Sequence, residues 1–330
     1  MIINRKVDPK TVLYFTWRVI VSMTALSAVV WYLHANYSEL LPGIPFAPVA
    51  TIGTAVAFYV GLKNSSSYDR LWESRKIWGE ITNLSRSLAS YLLACVGRKA
   101  PRRVESIVQR QILYVNILRA QLRKCAVWED AVYSRFSKQR GLGNSFEVEL
   151  ARALSQYSRY ANDYEGDALR GVSNPAKQIM HYQIESIAQF KRDGLLDGTE
   201  ASDLIRICTS LLEQQGRAER IKNFPFPRQY ASVSEIFVYI FITLLPFALL
   251  PEFDRFPQGF SWLIIPVSTL IAWIFTTMEQ VGDSSENPFE NGINDVPLNA
   301  ICRQIEIDLC EILGEDFLPV PVSERDGILM

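Results

Sequence analysis

The sequence predicts an all-α membrane protein with four transmembrane helices and a large helical cytoplasmic region. The first observation is that apolar residues are concentrated in four long runs, two near each end of the 330-residue chain, with a long polar block between the pairs. The second is that Lys and Arg lie mainly in the N-terminal segment and in that block. The third is that apolar residues inside the block recur at three, four or seven positions, which is typical of helices.

Composition excludes some partners. The chain is 48% hydrophobic and 21% charged, with a formal net charge of −1. A net charge close to zero suggests neither a nucleic-acid binder nor an acidic tail. We therefore expect the lipid bilayer, and no nucleic acid, as a partner.

The first pair of runs covers residues 12–33 and 46–62, and the second run ends at Lys63. A helix of about 20 residues crosses a hydrocarbon core of about 30 Å. The first run is too long for a signal peptide and lacks a small-residue cleavage site after it. Its one charge, Arg18, is a functional candidate by default. Its position near one end also allows an interfacial anchor or an ion pair between subunits.

The second pair covers residues 236–250 and 260–278, and each run contains a proline, Pro246 and Pro266. Prolines in membrane helices are tolerated where neighbouring helices or water bind the freed backbone groups. Both helices are therefore expected to pack in a bundle.

These runs predict four segments: a first membrane helix pair (1–62), a helical cytoplasmic region (63–230), a second membrane pair (231–279) and a cytoplasmic C-terminal segment (280–330). The excess of Lys and Arg before the first run and in the middle block places both termini and that block in the cytoplasm. The expected location is the inner (plasma) membrane, crossed several times.

Catalytic and metal-binding patterns are missing from the sequence. His34 and His181 lie on opposite predicted sides of the membrane, and the five cysteines show no C-x-x-C spacing. There is no phosphate-binding loop and no nucleophile elbow. The sequence therefore predicts neither an enzyme nor a bound cofactor, with the cysteines as buried thiols.

The stretch 56–79, "VAFYVGLKNSSSYDRLWESRKIWG", changes from apolar to charged and aromatic sequence. On one continuous helix Tyr68 and Trp72 lie a turn apart, as do Asp69 and Glu73. One interpretation is a juxtamembrane helix with Tyr68, Trp72 and Trp78 at the interface. The other is a helix that leaves the membrane as the wall of a cytoplasmic chamber, its charges pairing with neighbouring subunits.

Four stretches resemble signature sequences of the bacterial bestrophin-type ion channels. They read "GLKNSSSYDRLWESRKIWGEITNLSRSL" (61–88), "ERIKNFPFPRQY" (219–230), "LLPFALL" (244–250) and "ENPF…NDVPLNAICRQIEIDL" (286–309). They occur in order over nearly the whole chain. The resemblance implies a homopentamer that conducts monovalent ions through an axial pore lined by the second membrane helix. The signature residues of the first stretch are Lys63, Asn64, Tyr68, Asp69, Arg70, Glu73, Arg75 and Trp78.

The resemblance also implies two constrictions. Counting back from Arg70 gives a neck of Leu62, Phe58 and Thr54, in which Thr54 departs from the usual apolar residue and predicts a wetter ring. Without the resemblance, Phe58 and Leu62 are ordinary packing residues. A cytoplasmic aperture is expected at Thr199, where "DGTE" suits a helix start capped by Asp197 or by Thr199 itself.

Animal members of the family bind calcium after the fourth span, and the resemblance places the corresponding segment near Asn287 and Asp295. Gly292 stands where another acidic ligand is expected, and Ser284 replaces an amide. Calcium favours six to eight oxygen ligands. We therefore expect a degenerate clasp and no metal site.

The sequence leaves the permeant ion open. The positive edges of the Phe58 ring, together with Lys63, favour anions such as chloride, but the family includes cation conductors, and a sodium-type cation channel is the alternative. A secondary transporter would show inverted repeats and a polar midplane site, and the sequence has no such repeat. A membrane scaffold without transport is a further alternative. A scaffold would not need a thin helix of small residues such as "TIGTAVA", so this stretch counts against it.

Overall fold

The computed structural model describes residues 9–37, 43–124, 171–224, 226–255, 260–292, 294–324 and 327–329, with isolated residues at 148, 151, 155 and 169. We number the eight long α-helices of these residues in chain order. They are α1 (Pro9–Asn36), α2 (Phe46–Val96), α3 (Pro101–Leu122), α4 (Pro175–Arg192), α5 (Gly198–Asn223), α6 (Arg228–Phe253), α7 (Ile264–Ser285) and α8 (Leu298–Leu313). A 3-10 turn, Ser261–Leu263, precedes α7.

The first of two compact units, here called the membrane unit, comprises Asn4–Arg70 and Pro225–Glu286. Among the described residues, four helices are long and apolar enough to cross a membrane: α1, α2, α6 and the segment Ser261–Ser285. The prediction of four membrane helices is confirmed. Helix α6 contains Pro246 and Pro251 and begins well before the apolar run at residue 236.

Helices α1 and α7 are joined inside the membrane unit by small hydroxyl side chains. The Ser27 and Ser268 hydroxyls lie 2.7 Å apart and are buried, and those of Thr24 and Thr269 lie 3.3 Å apart. Small residues allow close helix approach in lipid, where interhelical hydrogen bonds and packing replace the hydrophobic driving force. Around them lies an apolar core to which α1, α2, α6 and α7 all contribute.

The second unit, here called the helical unit, comprises the described residues of Leu71–Phe224 and Asn287–Met330. Its helices begin at strong local signals. Asn174 caps α4 by accepting a hydrogen bond from the Lys177 backbone N–H at 3.0 Å, and a proline follows the cap. Gly194 has a φ of +70° before α5, as glycine permits.

Helix α2 contributes to both units without a break. Its 51 residues correspond to about 76 Å at a rise of about 1.5 Å per residue. Of the two interpretations of residues 56–79, both require helix here, and the structure continues that helix far beyond a membrane span. The charged stretch is therefore part of the same continuous helix, and no loop separates it from the apolar stretch.

Candidate pore-lining helix

The three predicted neck residues share one exposed face of α2. Phe58 is 70% exposed and Leu62 is 54% exposed, and Thr54 is exposed with them. Val56 and Val60, on other faces, are 3% and 1% exposed. Residues spaced by four lie on one side of a helix. One subunit therefore leaves a stripe with large apolar side chains uncovered while the opposite side of α2 is packed.

Thr54 contributes less polarity to this stripe than its residue type predicts. Its hydroxyl donates a hydrogen bond to the Ala50 carbonyl one turn earlier, at 3.0 Å. A hydroxyl engaged with its own helix is less available to water or ions. The wetter outer ring expected from the sequence remains a prediction, weakened by this contact.

Lys63 lies away from the exposed stripe. Its side chain is buried, and its ammonium donates to Glu279 and, at 2.6 Å, to Asp283, both on α7. Glu279 also accepts a hydrogen bond from the Ser234 hydroxyl of α6 at 2.7 Å. The expectation that Lys63 adds positive charge to the pore is not met in this subunit, because two carboxylates neutralise its ammonium.

Two more signature residues attach the same part of α2 to the end of α7. The Asn64 amide donates to the Met278 carbonyl at 3.0 Å, and the Arg70 guanidinium donates to the Glu286 carbonyl at 3.0 Å. A Cβ on Gly282 would overlap the Asn64 side chain. The missing side chain of Gly282 therefore leaves room for Asn64 against α7.

Tyr68 and Asp69 remain exposed in the membrane unit. Asp69 forms no ion pair with any side chain that the structure describes. It follows Leu62 by seven residues, about two helical turns, and therefore lies near the same face. A carboxylate is thus the first charged group on that face below the predicted neck.

In the helical unit the remaining signature residues divide between surface and core. Glu73 pairs with Lys76 at 2.7 Å, and Arg75 is exposed. Trp78 is fully buried in the core of the unit, against the interpretation that placed it in an aromatic belt at the membrane interface. Tertiary packing among helices decides the environment of this tryptophan.

The predicted aperture residue, Thr199, is exposed in the first turn of α5. The cap is Asp197, which accepts from the Glu200 N–H at 2.7 Å while Glu200 accepts from the Asp197 N–H at 2.9 Å. This capping box confirms the predicted helix start and assigns the cap to Asp197. The aperture role of Thr199 stays a prediction.

The segment resembling a calcium clasp contains a buried carboxyl group in a turn. Asp295 is buried and accepts a hydrogen bond from the Gly292 N–H at 2.8 Å, closing the loop before α8. Burial raises the pKa of Asp295 to about 7. Among the residues that the structure describes, no group of three or more His, Cys, Asp or Glu side chains is placed to hold a metal ion. The expected lack of a calcium site stays a prediction, which rests on Gly292 in place of a carboxylate.

Two polar clusters of the membrane unit were not predicted from the sequence. His34 lies 2.9 Å from Asp254, and Lys63 meets Glu279 and Asp283. Glu279 and Asp283 are spaced by four directly after an apolar run, which is a weak signal for one polar helix face. Arg18 is exposed, with its guanidinium 5.7 Å from the Trp17 ring.

Comparison with known proteins identifies the family. The model for bacterial and fungal bestrophin proteins matches residues 9–311, nearly the whole chain. The chain belongs to the bestrophin family. The sequence-based resemblance is confirmed, as are the all-α membrane fold and the expectation that the chain is not an enzyme.

This bestrophin is similar to the voltage-dependent anion channel-forming protein YneE of Salmonella typhi, with 29% identity over 280 residues, 84% of this chain and 80% of the relative. It is also 29% identical to the voltage-dependent anion channel-forming protein RSc3414 of Ralstonia nicotianae, covering 92% of this chain and 89% of the relative. A solved bacterial bestrophin homologue from Klebsiella pneumoniae superposes with a TM-score of 0.76 at 24% identity, over 90% of this chain and 97% of that one. The structural likeness establishes the fold.

Proposed function

We propose that this bestrophin is a homopentameric ion channel whose pore is lined by the exposed stripe of α2. The observation that carries the proposal is the exposure of Phe58 and Leu62, two large apolar side chains on one face of a membrane helix. A single four-helix subunit encloses no pore, so a pore at this stripe needs further copies of the chain around an axis. We propose a multi-pass location in the inner membrane with both termini in the cytoplasm.

The neck acts as a barrier because ions lose water there without gaining ligands. Rings of Phe58 and Leu62 offer hydrocarbon in place of coordinating oxygen, and apolar constrictions gate by dewetting. Helix α2 continues past the neck with polar residues, beginning at Ser65 and Asp69 on the same side. That change of chemistry suits a narrow neck that opens into a hydrated vestibule.

Anions, chloride among them, are the proposed permeant ions. The support is that relatives covering most of this chain are named voltage-dependent anion channel-forming proteins. The edge of a phenylalanine ring carries partial positive charge, so a ring of Phe58 edges facing the axis attracts anions weakly.

A monovalent cation channel is the second candidate, favoured by two charges of the membrane unit. Lys63 is buried between carboxylates, and Asp69 is exposed near the neck face. A ring of Asp69 carboxylates below the neck would attract cations and repel anions. The environments of Lys63 and Asp69 thus favour cations, whereas the relatives' names suggest anions.

Reconstitution into planar bilayers tests these proposals. We expect unitary current steps, and a reversal potential in a salt gradient that lies on the anion side for the first candidate and on the cation side for the second. A smooth flux without unitary steps would indicate a transporter, and the absence of flux a scaffold. The mass of the detergent-solubilised protein checks the assembly: a monomer or dimer contradicts the pentamer.

A further inference from the structure

The cluster formed by Lys63, Glu279, Asp283 and Ser234, here called the lysine lock, connects α2 to α6 and α7. Lys63 is 3% exposed, Glu279 is 3% exposed and Ser234 is 1% exposed. The ammonium donates to both carboxylates, and the second oxygen of Glu279 accepts from Ser234. A buried ion pair costs desolvation energy and contributes little net stability, so such clusters are retained in some proteins for specificity of arrangement.

The lock lies next to the pore stripe in sequence but on another side of the helix. Successive residues of an α-helix differ by about 100° in direction. Leu62 therefore points about a quarter turn away from Lys63, and Phe58 still further. Because the Lys63 ammonium is held on α7, rotation of α2 that turned Leu62 toward the helix bundle would pull the ammonium off its carboxylates.

Neighbouring contacts limit the same rotation. Asn64 binds the Met278 carbonyl, and a Cβ on Gly282 would overlap the Asn64 side chain while lying 3.7 Å from the Lys63 side chain. The Asn64 and Lys63 side chains therefore pack directly against α7 at this level. Packed side chains resist continuous displacement, so these contacts limit the rotation of α2 about its axis.

We propose that the lysine lock positions the pore helix: it fixes the rotation of α2 and so determines that Phe58 and Leu62 face the pore. Lys63 acts through Leu62 and Phe58 and does not touch the permeant ion. This inference rests on the proposed function, since it assigns a consequence to the stripe only if the stripe lines the pore.

The test measures the direction of α2 directly. Leu62→Cys is introduced into the full-length protein, and a charged thiol reagent is applied from the cytoplasmic side in a bilayer while the current is recorded. The unsubstituted protein shows the background from native cysteines, of which Cys208, Cys302 and Cys310 are buried. The same measurement is made on Val60→Cys, a position 1% exposed in the subunit.

We expect reaction at Leu62→Cys and very slow reaction at Val60→Cys when the lock is intact. Adding Lys63→Met or the isosteric Glu279→Gln should bring the two rates together, with a change of about tenfold in their ratio, because a rotation of about 100° exchanges exposed and buried positions. Lys63→Arg keeps the charge and should preserve the ratio. Lys76→Met, which removes the exposed pair with Glu73 on the same helix, is the matched control.

A lock with only a structural role would lower the yield of protein but leave the rate ratio unchanged, and that result overturns the proposal. If Lys63→Met does not assemble, Glu279→Gln and the milder Ser234→Ala give the same readout. If Leu62→Cys fails to alter the current even with an intact lock, the pore assignment itself is wrong and the role of the lock falls with it. The two failures are therefore distinguishable.

Discussion

Shortening Phe58 to alanine separates a pore-lining side chain from a packing side chain, because the two roles affect different measurements. Phe58 is 70% exposed in the subunit, so less than a third of its surface is packed. Truncating a fully buried Phe costs about 3–5 kcal/mol, and the packed fraction scales this to about 1 kcal/mol for Phe58→Ala. The variant should therefore remain folded and assembled.

The current should change much more than the stability. In the proposed pentamer, removing one aromatic ring per subunit would widen the neck and admit water, which lowers the barrier that ions meet. A decrease of about 1 kcal/mol in that barrier corresponds to an increase of about fivefold in the rate of ion passage. Unitary conductance in a planar bilayer should rise by at least this factor, and any gating should weaken.

Val56→Ala is the matched control on a packed face of the same helix. Val56 is 3% exposed, so truncation leaves a cavity and costs about 1–2 kcal/mol through lost packing. Thermal unfolding in detergent should show this loss, while unitary conductance should stay near that of the unsubstituted protein. Unchanged current in Phe58→Ala with raised current in Val56→Ala would refute the pore-facing register, and the assignments of Thr54 and Leu62 with it.

Three further predictions address charge, pH and calcium. Asp69→Asn should shift the reversal potential in a salt gradient toward the anion side, because it removes the first carboxylate below the neck; an unchanged potential would exclude Asp69 from the selectivity of the pore. The pKa of Asp295 is raised to about 7 by burial, so the folded protein favours the neutral carboxyl. The stabilising contribution of the neutral Asp295 carboxyl is complete below about pH 4 and is lost as the pH rises through about 7. The free energy of unfolding should therefore be lower near pH 8 than near pH 5. Asp295→Asn should remove this difference. Channel current should not respond to micromolar calcium, since Gly292 supplies no carboxylate; strong activation that Asp295→Ala abolishes would show that other oxygens complete a site.

The fold was largely predictable because its strongest determinants are local. A run of about 20 apolar residues admits few structures other than a membrane helix, and α1, α6 and α7 follow from such runs. The start of α5 follows from the Asp197 and Glu200 capping pair. These signals are contained within a few residues, so tertiary packing does not need to be known.

The polar contacts of the site were less predictable because they join distant parts of the chain. Lys63 meets Glu279 and Asp283 across more than two hundred residues, and sequence spacing does not show which cation meets which carboxylate. The position of Trp78 was not predictable for a similar reason, because an indole after a membrane span suits a membrane interface as well as a buried core. Its burial depends on the helices that pack around it.

Gly61 introduces a requirement that one subunit does not explain. It lies in the middle of α2, where glycine costs about 1 kcal/mol relative to alanine, yet among the described residues nothing lies within 4 Å of a Cβ placed there. Its neighbour in the sequence, Leu62, belongs to the proposed neck, so in the proposed assembly the absent side chain would matter where copies of α2 converge. In an assembly of several chains, a Gly61→Ala subunit would then disrupt the neck rings to which unsubstituted subunits also contribute. Such an allele is expected to be dominant when both forms are expressed together.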